Sequence, residues 1–287
     1  MPDAGFAFLI AVCLAPRPGA DGQNPSPMVE KTRTHPRLKE EKPKGRREKL
    51  EIGVLFLPEK LRAEGKVPLF IHFHGGTWLP EVAAAKLGKA AVITVQLGSG
   101  SAAYAKPFAD GKAFGRLLAE AQEKGGAVFE PIGLTAWSAG YGSVREILKV
   151  ATYYDRVQFV LLIDGLHTSY ASGKPGPVES TLTPENLDVF VKFARDAAAG
   201  KKQMIVTHSE IFPGTFASTT ETADYLLERL GLRRQAILQW GPMQTQQLSE
   251  VRKNGFRLAG YAGNSAPDHV DQLHALPDFL QWIEWQK

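Results

Sequence analysis

Short apolar runs alternate with longer segments of helical spacing along most of the chain. VPLFIHFH over residues 67–74 and VQFVLLID over residues 157–164 are nearly continuous in apolar side chains. Strands with both faces apolar are typical of a parallel sheet that is covered on both sides. The pattern predicts strands over residues 50–58, 67–74, 90–97, 131–137, 157–164, 203–209 and 256–263.

Between these runs, apolar residues recur at the spacing of one helix face, as Phe114, Leu117, Leu118 and Ala121 do. The alternation predicts one α/β domain with a doubly wound, mostly parallel sheet and helices on both faces. A stretch rich in Gly, Pro and Ser over residues 166–184 predicts a loop. The predicted helices span residues 110–124, 143–151, 185–199, 222–230 and 268–285.

The N-terminal region differs from the rest of the chain. Residues 4–15 form an apolar stretch of signal-peptide length, although no Lys or Arg precedes it. We therefore expect a signal peptide over residues 1–20 and export to the periplasm or the medium, with a cytoplasmic protein as the alternative. Residues 21–46 are rich in Pro, Gly, Lys, Arg and Glu, which predicts a flexible basic linker. The α/β domain is expected over residues 47–287.

Charge and cysteine content narrow the function classes. Residues 1–50 hold 10 Lys and Arg against 6 Asp and Glu, which accounts for the whole formal charge of +4. The balanced remainder argues against nucleic-acid binding, which needs a basic face on the domain. No apolar run beyond the first residues is long enough to cross a bilayer, so we expect no integral membrane span in the mature chain. Cys13 is the single cysteine, which excludes an intrachain disulfide and a zinc site built on several cysteines.

Ligands of open parallel sheets bind at the carboxyl ends of the strands, so the residues that follow each strand matter most. Ser138, Asp164 and the loop that ends at His269 follow separate predicted strands. A serine, an acid and a histidine therefore occur in that order along the chain. His72 and His74 share one strand face, but no third metal ligand is evident, and we expect neither a metal ion nor another cofactor.

The segment TAWSAGYG over residues 135–142 predicts a sharp turn from strand to helix. Ala136 and Gly140 are small, and strand and helix pass close to such a turn, where the side chain of Ser138 would be held outward. The usual pattern has glycine where this chain has Ala136. A helix N-cap serine is the alternative interpretation of Ser138.

The segment IHFHGGTW over residues 71–78 places two glycines directly after a strand. Backbone N–H groups in such a turn can point toward a small anion, as an oxyanion hole requires. An ordinary tight turn is the alternative.

With HGG over residues 74–76 and AWSAG over residues 136–140, the chain from about residue 50 to residue 287 resembles the α/β-hydrolase fold. The resemblance implies that Ser138 is the nucleophile. It also implies that the N–H groups of Ala139 and of Gly76 or its neighbour bind the oxyanion.

The resemblance also places a catalytic histidine after the last strand and an acid after an earlier one. His269 fits that place better than His274, which lies further along the predicted helix. Asp164 and Glu210 both follow strands, and Asp164 is favoured because it ends its strand more cleanly. Asp268 and Asp271 are interpreted as helix N-terminal charges.

The implied activity is that of a serine hydrolase with an acyl-enzyme intermediate, acting on carbohydrate or short acyl esters. Trp78, Trp137 and His167 are candidates to line the substrate site, with buried packing as the alternative. A peptidase or amidase of the same fold and a non-catalytic binding protein remain as alternative functions.

Overall fold

A ten-stranded mixed sheet forms the centre of the structure, a computed structural model that describes residues 34–61, 65–176 and 180–285. The predicted signal peptide and the first part of the predicted linker lie outside the described residues. The strands are β1 Gly45–Lys49, β2 Val54–Pro58, β3 Val67–Phe73, β4 Ala91–Val95, β5 Phe129–Trp137, β6 Val157–Ile163, β7 Gln203–His208, β8 Gln235–Trp240, β9 Gln246–Lys253 and β10 Phe256–Tyr261.

The strand order is β1-β2-β4-β3-β5-β6-β7-β10-β9-β8. The block from β4 to β10 is parallel, whereas β1 and β2 at one edge and β9 and β8 at the other pair antiparallel. Each parallel crossover carries helical segments over a face of the sheet, as the geometry of parallel connections requires. The predicted fold class, a doubly wound and mostly parallel sheet with helices on both faces, is confirmed.

Two apolar cores, one on each face, hold the helices to the sheet. Along β3, Leu69, Ile71 and Phe73 enter one core, whereas Phe70 enters the other. Alternate side chains of a strand point to opposite faces, so a strand that is apolar throughout supplies both cores. The helices are α1 Trp78–Leu87, α2 Ser101–Ala105, α3 Ala113–Gly125, α4 Tyr141–Leu148, α5 Ala151–Arg156, α6 Asp188–Ala198, α7 Thr219–Leu230, α8 Ala266–His274 and α9 Leu276–Leu280.

The helices divide between these cores. Phe114 of α3, Val144 of α4 and Phe190 of α6 lie in the first core. Leu79 of α1 and Leu273 of α8 lie in the second. Among the described residues, no helix is long and apolar enough to cross a bilayer.

Several elements differ from the sequence prediction, and β1, α2 and α5 are among those that were not predicted. Helix α1 was not predicted, because most of its residues are buried and it has little polar face to give a helical period. The hairpin of β8 and β9 was not predicted, because β9 is mostly polar and β8, although it is partly apolar, is largely exposed. The single predicted helix over 268–285 is two helices, since Pro277 lacks the N–H group that would continue α8.

Part of the predicted linker belongs to the folded domain, so the predicted boundary at residue 47 is too late. Arg37 Nε donates to Asp271 Oδ1 at 2.7 Å, and the Leu38 N–H donates to His274 Nδ1 at 3.1 Å. Arg46 Nη1 donates to the Lys124 carbonyl at 3.0 Å. The segment is polar, so hydrophobic periodicity could not reveal contacts that rest on ion pairs.

Two buried histidines make the stability of the fold depend on pH. Burial lowers the pKa of His72 from 6.5 to about 3 and that of His208 to about 4, with the Arg234 charge adding to the effect at His208. Both rings are almost inaccessible to solvent. The unfolded chain takes up these protons near pH 6.5, whereas the folded chain does so only at lower pH.

We therefore predict that the free energy of unfolding falls between pH 7 and pH 5, by about 2 kcal/mol for each of these two histidines. Urea unfolding at both pH values measures it. The variant His72→Gln removes one titrating ring and should reduce the loss by about 2 kcal/mol. An unfolding free energy that is the same at both pH values would contradict the assignment of neutral rings.

Candidate active site

Three neighbouring parallel strands are followed by residues with a left-handed backbone. His74 follows β3, Ser138 follows β5 and Asp164 follows β6. Their φ angles are 75°, 47° and 41°. This conformation is uncommon outside glycine, costs free energy and concentrates at functional sites. The turns lie at the carboxyl edge of the sheet, where this architecture binds its ligands.

The turn at Ser138 passes directly from β5 into a short 3₁₀ turn, Ser138–Gly140, and then into α4. A Cβ atom on Gly140 would lie 2.2 Å from the backbone oxygen of Phe73, so only glycine fits there. Ala136 is fully buried and its methyl group packs within the first core. The motif therefore tolerates alanine at its first small position and requires glycine at its second.

The carboxylate of Asp164 accepts four hydrogen bonds. Oδ1 accepts from the Ser209 N–H at 2.8 Å and from the Thr219 hydroxyl at 2.7 Å. Oδ2 accepts from the Ser209 hydroxyl and from His269 Nδ1, both at 2.7 Å. An ionised carboxylate offers about four lone-pair sites, so this set satisfies it.

These bonds hold the Asp164 carboxyl in its ionised form. Asp164 is 1% exposed, and burial alone would raise its pKa. The hydrogen bond and charge of His269, with the bonds from Thr219 and Ser209, outweigh burial and hold the pKa well below its usual value. The carboxylate has no proton to donate, so Nδ1 of His269 carries the proton of their shared bond. In the neutral ring, Nε2 is then the free acceptor.

His269 lies in the first turns of α8, in a position set by local capping. The Ser265 hydroxyl and N–H both donate to Asp268 Oδ2, at 2.6 Å and 3.1 Å, and the His269 N–H donates to the Ser265 carbonyl. The His269 side chain is 16% exposed, which leaves it accessible from the site. Asp268 thus caps the helix, as its predicted role as a helix N-terminal charge requires.

Ser138, Asp164 and His269 line one small cavity of about 60 Å³, together with His167. The structure thus brings together the three residues that the sequence placed far apart.

Trp137 lies between two imidazole rings. Its ring stacks on His74 with a centroid distance of 5.0 Å and lies 4.5 Å from His269, and its Nε1–H donates to the His269 carbonyl at 3.0 Å. These contacts hold the start of α8 against the turn at Ser138. Trp137 therefore packs against His269, and such packing was the alternative to its predicted substrate-lining role.

The alternative acid and base lie elsewhere. Glu210 is exposed, and its N–H donates to the Gly263 carbonyl at 2.8 Å. His274 accepts from the Leu38 N–H and packs edge-on against Trp78, with ring centroids 5.7 Å apart. Trp78 lines a groove with Arg47 and Glu81, so the prediction that it lines the site of Ser138 is wrong.

Of the two residues predicted to bind an oxyanion, Ala139 lines the larger cavity described below, whereas Gly76 does not. Ala139 is the second residue of its helical turn, where an N–H has no acceptor within the helix. The Gly75 N–H donates to Gln96 Oε1 at 3.1 Å. Gly76 is exposed and lies outside the cavities at Ser138, to which the loop after β3 contributes His74.

A larger cavity of about 560 Å³ continues from Ser138 and Ala139. His167 lines both cavities, and its Nδ1 lies 2.9 Å from the Ala217 carbonyl. Burial lowers the pKa of His167, which favours its neutral form. Phe216 packs edge-on against His167 and is 41% exposed at the cavity mouth.

Sequence reasoning missed two residues that hold the acid, Ser209 and Thr219. Ser209 follows β7 directly, at a strand end that was already singled out for Glu210. Thr219 is the first residue of α7, behind a capping box of Ser218 and Glu221 that the sequence STTE announces. The sequence thus showed where both residues lie in their elements, but it did not show that their side chains point toward Asp164.

Within the described residues, one cluster has the donor types of a metal site: His35, Asp268 and Asp271 offer ligand atoms within 4.8 Å of one another. Asp271 already accepts from His35 and from the Arg37 guanidinium, and Asp268 caps α8. A cation there would face the Arg37 charge, so the cluster is better explained as an anchor for the N-terminal segment.

No protein-family model and no curated protein matches the sequence. Among solved structures, the chain is similar to a thermostable esterase from Pseudomonas putida at 13% identity and a TM-score of 0.47, covering 83% of this chain and 81% of that one. A carboxyl esterase from Tuber melanosporum has 17% identity and a TM-score of 0.48, covering 84% and 86%. An acetyl xylan esterase from Aspergillus awamori has 13% identity and a TM-score of 0.42, covering 79% and 93%.

These likenesses are distant, and the fold assignment rests on the chain's own geometry. The mostly parallel sheet, the sharp strand-to-helix turn at Ser138 and the serine–acid–histidine order along the chain are those of the α/β-hydrolase fold.

The turn at Ser138 also depends on Gly165, the residue after Asp164. A Cβ atom there would lie 2.4 Å from the Ser138 nitrogen and 2.6 Å from its oxygen. We predict that Gly165→Ala lowers the free energy of unfolding by about 3 kcal/mol or more, because backbone atoms on both sides of the contact must move.

Gly88→Ala at the end of α1 is the matched control. Its Cβ would meet nothing within 4 Å and carries only the strain of φ +69°, which costs about 1 kcal/mol. Urea unfolding of both variants measures the difference. Equal, small losses would show that the close approach of the two turns is not part of the native structure.

Proposed function

We propose that the protein is a serine hydrolase that cleaves carboxylic esters, with Ser138 as nucleophile, His269 as base and Asp164 as the acid that orients the base. The observation that carries the proposal is the 2.7 Å bond from His269 Nδ1 to a buried, fully hydrogen-bonded carboxylate, in the cavity that Ser138 lines from its strained turn. In this proposal the three residues act as nucleophile, base and orienting group, which are the roles that activation of a serine requires.

In the proposed reaction, the Ser138 hydroxyl attacks the ester carbon while His269 Nε2 takes its proton. The tetrahedral intermediate collapses as the carbon–oxygen bond to the alcohol breaks, and the imidazolium returns the proton to the leaving oxygen. Water then attacks the acyl-enzyme with His269 again as base, which releases the acid and restores the serine. Asp164 holds the tautomer and stabilises the imidazolium.

The Ala139 N–H is proposed as one oxyanion donor, because it lies next to the nucleophile at the start of a helical turn. Ala139 is the only donor that we propose, because the Gly75 N–H is already bonded to Gln96 and Gly76 lies outside the cavities at Ser138. Donors of this kind stabilise charge that appears only in the transition state, at about 3 to 4 kcal/mol each.

We further propose carbohydrate or short acyl esters as the substrate class. The larger cavity is lined by hydroxyl and amide side chains, including Ser99, Ser101, Thr168, Ser169 and Asn186. Such a lining can bind a polar substrate through several hydrogen bonds, whereas long acyl chains favour apolar walls.

We predict that Ser138→Ala abolishes hydrolysis of p-nitrophenyl acetate with little change in the melting temperature, because only one hydroxyl is removed. Asp164→Asn should lower kcat by about 10⁴-fold, since an amide can hold His269 in the wrong tautomer. Steady-state kinetics on folded protein, checked by circular dichroism, measures both effects.

Glu210→Gln is the control, because Glu210 is exposed and has no place in the proposed site. It should keep wild-type kcat. A loss in Glu210→Gln that exceeds the loss in Asp164→Asn would move the acid to the next strand. Retained activity in Ser138→Ala would refute the nucleophile, and faster cleavage of a matched anilide than of the ester would favour an amidase.

A further inference from the structure

One Arg or Lys side chain is present in the lining of the larger cavity. Arg145 lies on α4, the helix that begins just after the turn at Ser138, and lines the same cavity as Ser138 and Ala139. Its side chain is 15% exposed, so it is open to the cavity without being freely solvated. No Asp or Glu is among the residues that line this cavity.

The guanidinium group of Arg145 is held in place but is not saturated. Nε donates to Glu146 Oε1 at 2.9 Å, and Nη1 donates to Asn186 Oδ1 at 3.0 Å. Among the described residues, Nη2 donates to no acceptor. Arginine carries five N–H donors in a fixed plane, so the held group keeps donors available for a ligand.

The neighbouring carboxylate does not cancel the charge. Glu146 is shared between Arg145 and Lys149, whose Nζ lies 3.0 Å from the same Oε1 atom. One anion therefore serves two cations, and the group of three side chains carries a net positive charge. A carboxylate of the substrate would supply a second anion to this group through a charge-assisted hydrogen bond, which sugar hydroxyls do not.

We propose that Arg145 is a specificity-determining residue that binds a carboxylate of the substrate, so that the preferred substrates are esters that carry a free carboxylate away from the scissile bond. The proposal rests on the proposed hydrolase function of Ser138. Thr168, Ser169 and Asn186 lie beside Arg145 in the cavity wall and supply further polar contacts.

The test uses two pairs of esters that differ only in charge. One pair is the p-nitrophenyl ester of adipic acid and of its monoamide, which places the charge on the acyl side. The other is para-acetoxybenzoate and para-acetoxybenzamide, which places it on the alcohol side. We expect a higher kcat/KM for the carboxylate member of at least one pair, and a preference that falls as salt is added.

Arg145→Gln should lower the carboxylate-to-carboxamide ratio of kcat/KM by about 10- to 100-fold, as expected for a lost hydrogen bond to a charged group. Arg145→Lys should keep part of the preference, because it keeps the charge but not the planar set of donors. Asn186→Asp leaves Arg145 in place, adds a competing carboxylate beside Nη1 and should suppress the preference as well.

The outcomes separate the two proposals. Equal kcat/KM values within both pairs, or a preference that survives Arg145→Gln and Asn186→Asp, would overturn the role of Arg145 and leave the hydrolase in place. Equal losses on both members of a pair would assign Arg145 a structural role instead. No turnover of any of the four esters by the wild-type protein would end the proposed function and this inference together.

Discussion

The rest of the site depends on the hydrogen bonds that surround the buried carboxylate of Asp164. Moving an ionised carboxylate out of water costs much more free energy than one hydrogen bond recovers. Hydrogen-bond donors must therefore surround it. Here the donors come from three separate elements: Ser209 after β7, Thr219 at the start of α7 and His269 in α8. One anion therefore ties the sheet edge to two helices, and the position of the imidazole follows from it.

The sheet supplies the rigidity that this arrangement needs. Positive φ angles at His74, Ser138 and Asp164 are strained, and such strain persists only where the surroundings fix the backbone. The strands before them are buried on both faces, and Gly140 and Gly165 allow neighbouring turns to approach without a side chain between them. Packing of two apolar cores thus stabilises a turn that would be unfavourable by itself.

The sequence predicted those parts of the molecule that local pattern determines. Apolar runs identified the parallel strands, and the small residues around Ser138 identified the turn, because both signals are contained in a few consecutive residues. The choice between Asp164 and Glu210 could not be made with the same certainty. It depends on Ser209 and Thr219, which meet the carboxylate only after the crossover from β6 to β7 is folded.

The wrong or missing predictions have similar causes. Trp78 was placed at the site because it follows HGG in the sequence, but α1 turns it into another groove. The segment at Arg37 was assigned to a linker because it is polar, yet its contacts with Asp271 and His274 are also polar. The β8–β9 hairpin has too few buried side chains to show a strand period.

The central claim is that Asp164, His269 and Ser138 act as one unit that activates the serine. Reaction with a fluorophosphonate, followed by peptide mass spectrometry, tests it most directly because the reagent labels only an activated hydroxyl. The account predicts one label per chain, on Ser138, and a large loss of labelling rate in His269→Gln. Folded wild-type protein that stays unlabelled, or a label on another residue, would contradict it.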